Sequence, residues 1–226
     1  MDRPDPEALI LSSWQANAEP WITAVREAQI ESRRLVTDRA MLAAIDAHRP
    51  RSVLDLGCGE GWLCRALRAW GIDTWGIDAT AVLVDAARVA DPDGDYECLD
   101  YAGFMTATPR RKVDLVACNF SLFGAEELGR LLASLAVVLK PGGHVLVQTL
   151  HPHVACGEAP YIDGWREGSW TGFDPAFRDP APWYFRTLES WVALVNDSGF
   201  RLTSLQEPLH PATGRPASLL LAAQLT

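Results

Sequence analysis

The stretch from Ser52 to Leu63, read as SVLDLGCGEGWL, limits what this chain can fold into more than any other. Its apolar run (Val53, Leu54, Leu56) is too short for a helix and is built of β-branched and bulky residues, so it predicts a buried strand. Gly57, Gly59 and Gly61 then predict a turn in which the backbone approaches a ligand with no Cβ in the way. From Trp62 the spacing becomes helical, with Leu63, Leu67 and Trp70 on one face, and it stops at Gly71, which suits a helix C-terminus. Strand, glycine turn and helix in that order open a doubly wound α/β fold of the nucleotide-binding kind.

The glycine spacing separates the ligands such a turn can hold. A dinucleotide turn reads G-x-G-x-x-G, whereas this one reads G-C-G-E-G, with Asp55 two residues ahead of it. Asp78 ends the next apolar strand (Thr74 to Ile77), 21 residues after Gly57. A carboxylate at that distance can accept hydrogen bonds from both hydroxyls of a ribose. Downstream, Tyr96 to Leu99 predicts a third strand and Val113 to Cys118 a fourth. Glu126 to Val138 predicts an amphipathic helix that ends at Lys140-Pro141-Gly142-Gly143, before a strand from His144 to Leu150.

The D-x-G-x-G-x-G turn followed by GIDTWGID, and the later L-K-P-G-G before an apolar strand, resemble the class I S-adenosylmethionine-dependent methyltransferases of the small-molecule type. The resemblance runs continuously over residues 52 to 150. It implies S-adenosylmethionine as cofactor and S-adenosylhomocysteine as product. It implies that Asp55, Gly57, Cys58, Gly59, Gly61 and Trp62 form the first cofactor loop, with Asp78 and Ala79 at the ribose. An acid after the third strand meets the adenine amino group in that family and a large neighbour packs on the ring, which carries over to Asp100 and Tyr101. A helix-capping role is the other reading of Asp100. A basic residue ahead of the first strand often meets the methionyl carboxylate. Arg33 or Arg34 fits, Arg33 the better of the two, against the plainer reading of solvated helix charges. Asn119 and Phe120 follow the fourth strand, at the sheet edge where ligands sit in such folds, and are candidates for the junction of cofactor and substrate.

The implied fold is a doubly wound seven-stranded sheet, mostly parallel, with an antiparallel C-terminal strand. Leu188 to Ser198 predicts a helix, Arg201 to Glu207 a strand, and Pro216 to Leu225 the antiparallel partner beyond the HPATGR turn. At 226 residues the chain reads as one domain. Residues 1–48 form a helical cap, in which Trp21 to Leu35 predicts one helix and Thr37 caps another from Asp38 to Ala47. Residues 150–187 far exceed the connection a bare fold needs. They hold Trp165, Trp170 and Trp183 among many Gly and Pro, and read as a lid over the acceptor.

Methyl transfer from a sulfonium needs a base only where the acceptor is protonated at working pH. His151, directly after the fifth strand, is the candidate base, against a plainer turn or supporting role. His153, Tyr161, Tyr184 and Arg186 rank below it. The expected partner is a small-molecule acceptor of aromatic or apolar character, with O-, N- and C-methylation all open. A net charge of −9 argues against a nucleic-acid partner. The residues after the fourth strand, CNFSLFG, lack the proline pair of enzymes that methylate DNA bases. Five cysteines without a C-x-x-C pair point to neither a disulfide framework nor a metal site. The opening MDRPDPEAL has no apolar leader segment, and no run is long enough to span a membrane, so a cytoplasmic location is expected. Two other readings stand beside the main one. A non-catalytic cofactor-binding protein would keep the same loop. A nicotinamide-dependent oxidoreductase predicts a G-x-G-x-x-G turn and a parallel last strand. The oligomeric state is not legible.

Overall fold

The structure, a computed structural model, describes residues 5–226; residues 1–4 of the leader reading lie outside them. Its frame is a seven-stranded sheet. β1 (Ser52–Leu56) is buried along its whole length, because both faces of a central parallel strand are covered. It pairs in parallel with β2 (Asp73–Asp78) on one side and β4 (Val113–Asn119) on the other, with Leu54 opposite Trp75 and Val116. β3 (Asp95–Cys98) extends the first side. β5 (Leu139–Thr149), β9 (Leu219–Leu225) and β8 (Phe200–Gln206) extend the second, giving the order β3-β2-β1-β4-β5-β9-β8. β9 runs antiparallel to both β5 and β8, as expected from the terminal hairpin. The chain order reverses between β1 and β4, so the crevice for a ligand opens at their C-terminal ends.

Alternation along the strands sets the two faces. Leu54, Leu56, Ile77, Val116 and Cys118 meet α7 (Leu128–Val138) and α9 (Leu188–Asp197) through Leu131, Leu132, Leu135, Trp191 and Val195. Val53, Leu115, Ala117 and Leu146 meet α3 (Asp38–His48) and α4 (Trp62–Arg68) through Met41, Ile45, Leu63 and Leu67. Asp55 therefore points to the α4 side, where Cys64 Sγ lies 3.8 Å from its carboxylate.

Three local expectations are corrected. Lys140-Pro141-Gly142-Gly143 is not a turn ahead of the strand: β5 starts at Leu139. The pairing jumps from Val113–Leu139 to Leu115–His144, and the surplus residues bulge out through Gly142 at φ +73°. Trp21 to Leu35 is not one helix. α2 (Ala18–Arg26) stops, the chain reverses through Ala28 at φ +53°, and a π turn, Arg33–Thr37, leads directly into α3. Thr37 is thus no cap. Its backbone is helical, and its buried hydroxyl has no partner.

The 150–187 segment, read above as a lid, begins with the four-residue helix α8 (Pro152–Ala155) and contains its own antiparallel pair, β6 (Gly164–Arg166) and β7 (Trp183–Phe185). A latch fastens it to the cap. Asn17 is fully buried between α1 (Pro6–Ala16) and α2. Its side-chain amide accepts from the Arg178 N–H at 2.8 Å and donates to the Arg178 carbonyl at 2.7 Å, while Ser13 Oγ donates to the Asp179 carbonyl at 2.6 Å. Asn17→Ala removes both hydrogen bonds to Arg178, each worth about 1 kcal/mol, along with the one to the Ser13 carbonyl. Amide exchange across 167–182 should then accelerate by roughly tenfold or more, with β1, β4 and β5 unchanged. Uniform acceleration across the sheet would show that the residue supports the fold and not the lid.

Candidate functional site

A cavity of about 610 Å³ lies over the C-terminal ends of β1, β2 and β4, under the cap and the lid. The glycine turn forms its floor, and its three glycines do different work. Gly57 sits at φ +86°, and a Cβ there would come within 2.3 Å of Ser121 Cβ. Gly61, at φ +83°, would meet Ala87 and Tyr96 at 2.9 Å. Both are close-packing positions. Gly59, at φ +55°, has only Trp21 Nε1 in reach, at 3.7 Å, and lies open to the cavity.

Asp78 organises this floor. One carboxylate oxygen accepts from the Gly59 N–H at 2.9 Å and the other from the Thr80 N–H at 2.8 Å. Burial raises its pKa, against the pull of those two N–H groups. Beside it, Asp100 lines the cavity and also caps α6 (Tyr101–Thr106), accepting from the Gly103 N–H at 2.7 Å. The capping role is therefore present, on a residue that also faces the cavity. Tyr101 donates to the Ser121 carbonyl at 2.9 Å, and burial pushes its phenol far up.

Arg33, on the π turn, comes within reach from the cap. Its guanidinium stacks over Trp62 at 4.9 Å and bonds Asp38 at 3.0 Å through Nε, leaving Nη2 buried without a partner. Arg34 is exposed. Asn119 lines the cavity with its Oδ1 buried and unpartnered. Phe120 is held at φ +52°, uncommon for a bulky residue, with its N–H on the Gln148 carbonyl at 2.8 Å.

Of the expected cofactor residues, Arg33, Gly57, Cys58, Gly59, Trp62, Asp78, Ala79, Asp100, Tyr101, Asn119 and Phe120 all line this one cavity. Asp55 and Gly61 do not; they lie beneath the turn and support it. His151 stands apart from this set as well. It is buried, its Nε2 lies 2.7 Å from Glu207 Oε1, and it is absent from the cavity wall. The strand it follows is adjacent to the antiparallel β9–β8 pair, and the imidazole turns toward that edge. His153 stacks on Tyr161 at 4.4 Å, and Arg186 spends its guanidinium on the Gly124 and Ala125 carbonyls. Neither His153 nor Arg186 lines the cavity.

Several wall residues were not legible as such. Trp14 and Trp21 look misplaced in the sequence; in the fold they pack edge to face at 5.0 Å over the glycine turn. Phe123, Trp170, Phe173 and Trp183 complete the far end, while Trp165 packs on Tyr184 away from it. Glu60, inside the glycine turn, is buried and ties Arg65 at 2.7 Å and Arg26 at 3.2 Å, joining the turn to α4 and α2. The only signal for Glu60 was its place between two glycines. Among the described residues no three metal-ligating side chains converge, and no helix is long and apolar enough to cross a membrane.

Comparison with known proteins agrees with this geometry. Residues 27–205 match a family model described as a methyltransferase domain. The chain is 33% identical over 103 residues to a ubiquinone biosynthesis O-methyltransferase of Bradyrhizobium sp., covering 44% of this chain and 40% of that protein. It is 33% identical over 110 residues to a malonyl-[acyl-carrier protein] O-methyltransferase of Pseudescherichia vulneris, covering 49% and 43%. The matched stretches thus span less than half of these relatives. Among solved structures, an S-adenosylmethionine dependent methyltransferase from Mesorhizobium loti is 27% identical with a TM-score of 0.62, covering 80% of this chain and 96% of that one. The fold is shared along the whole chain with the 1,6-didemethyltoxoflavin-N1-methyltransferase of Burkholderia thailandensis, at 17% identity, TM-score 0.68, and 100% and 93% coverage.

Proposed function

This chain belongs to the methyltransferase domain family, and from that premise we propose that it transfers a methyl group from S-adenosylmethionine to a small-molecule acceptor by in-line displacement. The observation that carries the reading is the continuity of a single cavity. One end is made of the glycine turn, Asp78, Asp100 and Arg33, and the other of aromatic side chains from cap and lid.

The residues fit the cofactor on their own terms. Arg33 Nη2 is a buried donor without a partner and suits a carboxylate. Gly59 leaves the floor open where a ligand must approach the backbone. Asp78 retains lone pairs beyond its two N–H contacts for ribose hydroxyls. Asp100 and Tyr101 stand where an adenine would lie, and Asn119 and Phe120 stand at the junction with the acceptor. Asp55 and Gly61 act from behind the turn.

The cofactor brings an activated methyl on a positive sulfur and leaves as a neutral thioether. What remains for the chain is alignment and exclusion of water. The floor and Arg33 fix one reactant; Trp14, Phe123, Trp170 and Trp183 confine the other. His151 has no base role in this scheme, because its imidazole faces Glu207. The nicotinamide alternative fails on its own requirement, since β9 is antiparallel.

Calorimetric titration with S-adenosylhomocysteine tests the reading, with Asp78→Ala as control. Loss of the carboxylate removes hydrogen bonds to the ligand and loosens Gly59, so binding should weaken roughly tenfold or more. A folded wild-type protein that binds neither S-adenosylmethionine nor its product overturns the proposal.

A further inference from the structure

Resting on that reading, we propose that the acceptor presents a neutral nitrogen in an aromatic frame, rather than a carboxylate or phenolate oxygen. The far end of the cavity is a box of rings: Trp14 lies 6.4 Å from Phe123 and 6.1 Å from Trp170, which in turn packs on Phe173 at 5.2 Å. The titratable groups that reach this end come from α1 and the start of α7, and all are carboxylates. Glu7, Leu11 and Trp14 follow each other at helical spacing on one face of α1, so an acid and an indole share the wall. Asp5 and Glu127 add two more acids, Glu127 in an ion pair with Arg130.

Imidazole and amine groups are missing from the wall. Among the described residues no histidine and neither lysine, Lys112 or Lys140, lines the cavity. Two cations stand near: Arg33 lies over Trp21 at 5.7 Å and bonds Asp38, its free Nη2 being the donor assigned above to the cofactor carboxylate, and Arg186 donates to the Gly124 and Ala125 carbonyls behind the wall.

These facts discriminate between nucleophiles by where charge goes. In attack by a neutral nitrogen, its lone pair forms the N–C bond while the C–S pair returns to sulfur. The positive charge passes from sulfur to the acceptor, and no proton need leave first. Ring faces and carboxylates both stabilise positive charge that develops on the acceptor, which is the difference that lowers a barrier. An oxygen anion would have to bind as a negative charge among carboxylates, partly removed from water. A neutral phenol would have to hand its proton to a carboxylate, and Glu7 already accepts from the Ala125 and Glu126 N–H groups while Glu127 is paired with Arg130. The two O-methyltransferases matched above share less than half of their length with this chain, and so do not decide the acceptor atom.

The test uses three probes built on one fused bicyclic aromatic frame, titrated into protein saturated with S-adenosylhomocysteine: quinoline, N-methylquinolinium and naphthoate. Quinoline and N-methylquinolinium should bind about tenfold tighter than naphthoate. Glu7→Gln should narrow the gap. Its amide oxygen still accepts from the Ala125 and Glu126 N–H groups that Glu7 holds at 2.8 and 3.1 Å, so the fold is kept. Naphthoate binding as tightly as the other two overturns the inference. So does no binding of any probe to protein that does bind S-adenosylhomocysteine, which leaves the methyltransferase reading standing. Failure to bind S-adenosylhomocysteine overturns both.

Discussion

Gly57→Ala should abolish cofactor binding and destabilise the protein by about 3 kcal/mol or more, from left-handed strain and overpacking together. The new Cβ would sit 2.3 Å from Ser121 Cβ, and Ser121 has nowhere to go. Its hydroxyl donates to the Leu56 carbonyl at 2.7 Å, and its own carbonyl accepts from Tyr101 at 2.9 Å. Relief therefore moves either the end of β1 or the start of α6, and both border the cavity. Two controls separate strain from collision. Gly71→Ala has a similar φ, +79°, with nothing within 4 Å, and should cost only about 1 kcal/mol. Gly59→Ala, at φ +55°, has room in the protein but projects into the ligand space, so it should cost the same ~1 kcal/mol as Gly71→Ala while binding, unlike there, weakens. Melting curves with S-adenosylhomocysteine calorimetry on all three variants decide the matter. A Gly57→Ala protein that binds normally would remove the turn from the cofactor site.

Asp55→Asn is expected to do the reverse and stabilise the unliganded protein at about pH 8, by an amount on the order of 4 kcal/mol. Burial pushes the Asp55 carboxyl up to about 7, helped by the charge of Asp78 and partly opposed by Cys64 and Arg33. In the unfolded chain the same group titrates near 3.8. Between those values the folded state holds a proton that the unfolded state has lost. Wild-type stability must then fall as pH rises through that window, with the full penalty present above about pH 7. Asparagine carries no charge, so the advantage of the variant should be large at about pH 8 and nearly gone at about pH 4. Denaturant melts at both ends measure it. An advantage independent of pH would mean that packing, and not ionisation, sets the cost. A buried acid that weakens the resting fold under a cofactor turn is the pattern of stability given up for function.

Much of this was legible in the sequence because it depends on local rules. The run of Val53, Leu54 and Leu56 meant a strand covered on both faces, and Gly57 to Gly61 meant a turn needing positive φ, whatever surrounds them. Asp78 could be named from its distance to the turn, since a β-α-β unit of fixed dimensions puts that strand end beside the first. Lys140 to Gly143 was misjudged because proline and glycine read as a turn, while pairing with Val113 and Leu115 made them a bulge in β5. Thr37 was misjudged for a related reason. Thr followed by Asp suits a helix start, but here the preceding residues are already helical, so no free end is left to cap.

The sequence by itself determined the fold class, the family and the side of the sheet on which a ligand sits, because these follow from periodicity and backbone chemistry within short segments. Only the tertiary structure decided which side chains face that ligand. Asp55 and Gly59 are four residues apart, yet one lies beneath the turn and the other opens into the cavity. His151 ends the expected strand but faces Glu207, and Asn17 reaches Arg178 across 161 residues. The direction of a side chain at a strand end, and the docking of a cap on a lid, depend on elements far apart in the chain. No local pattern encodes where those elements meet.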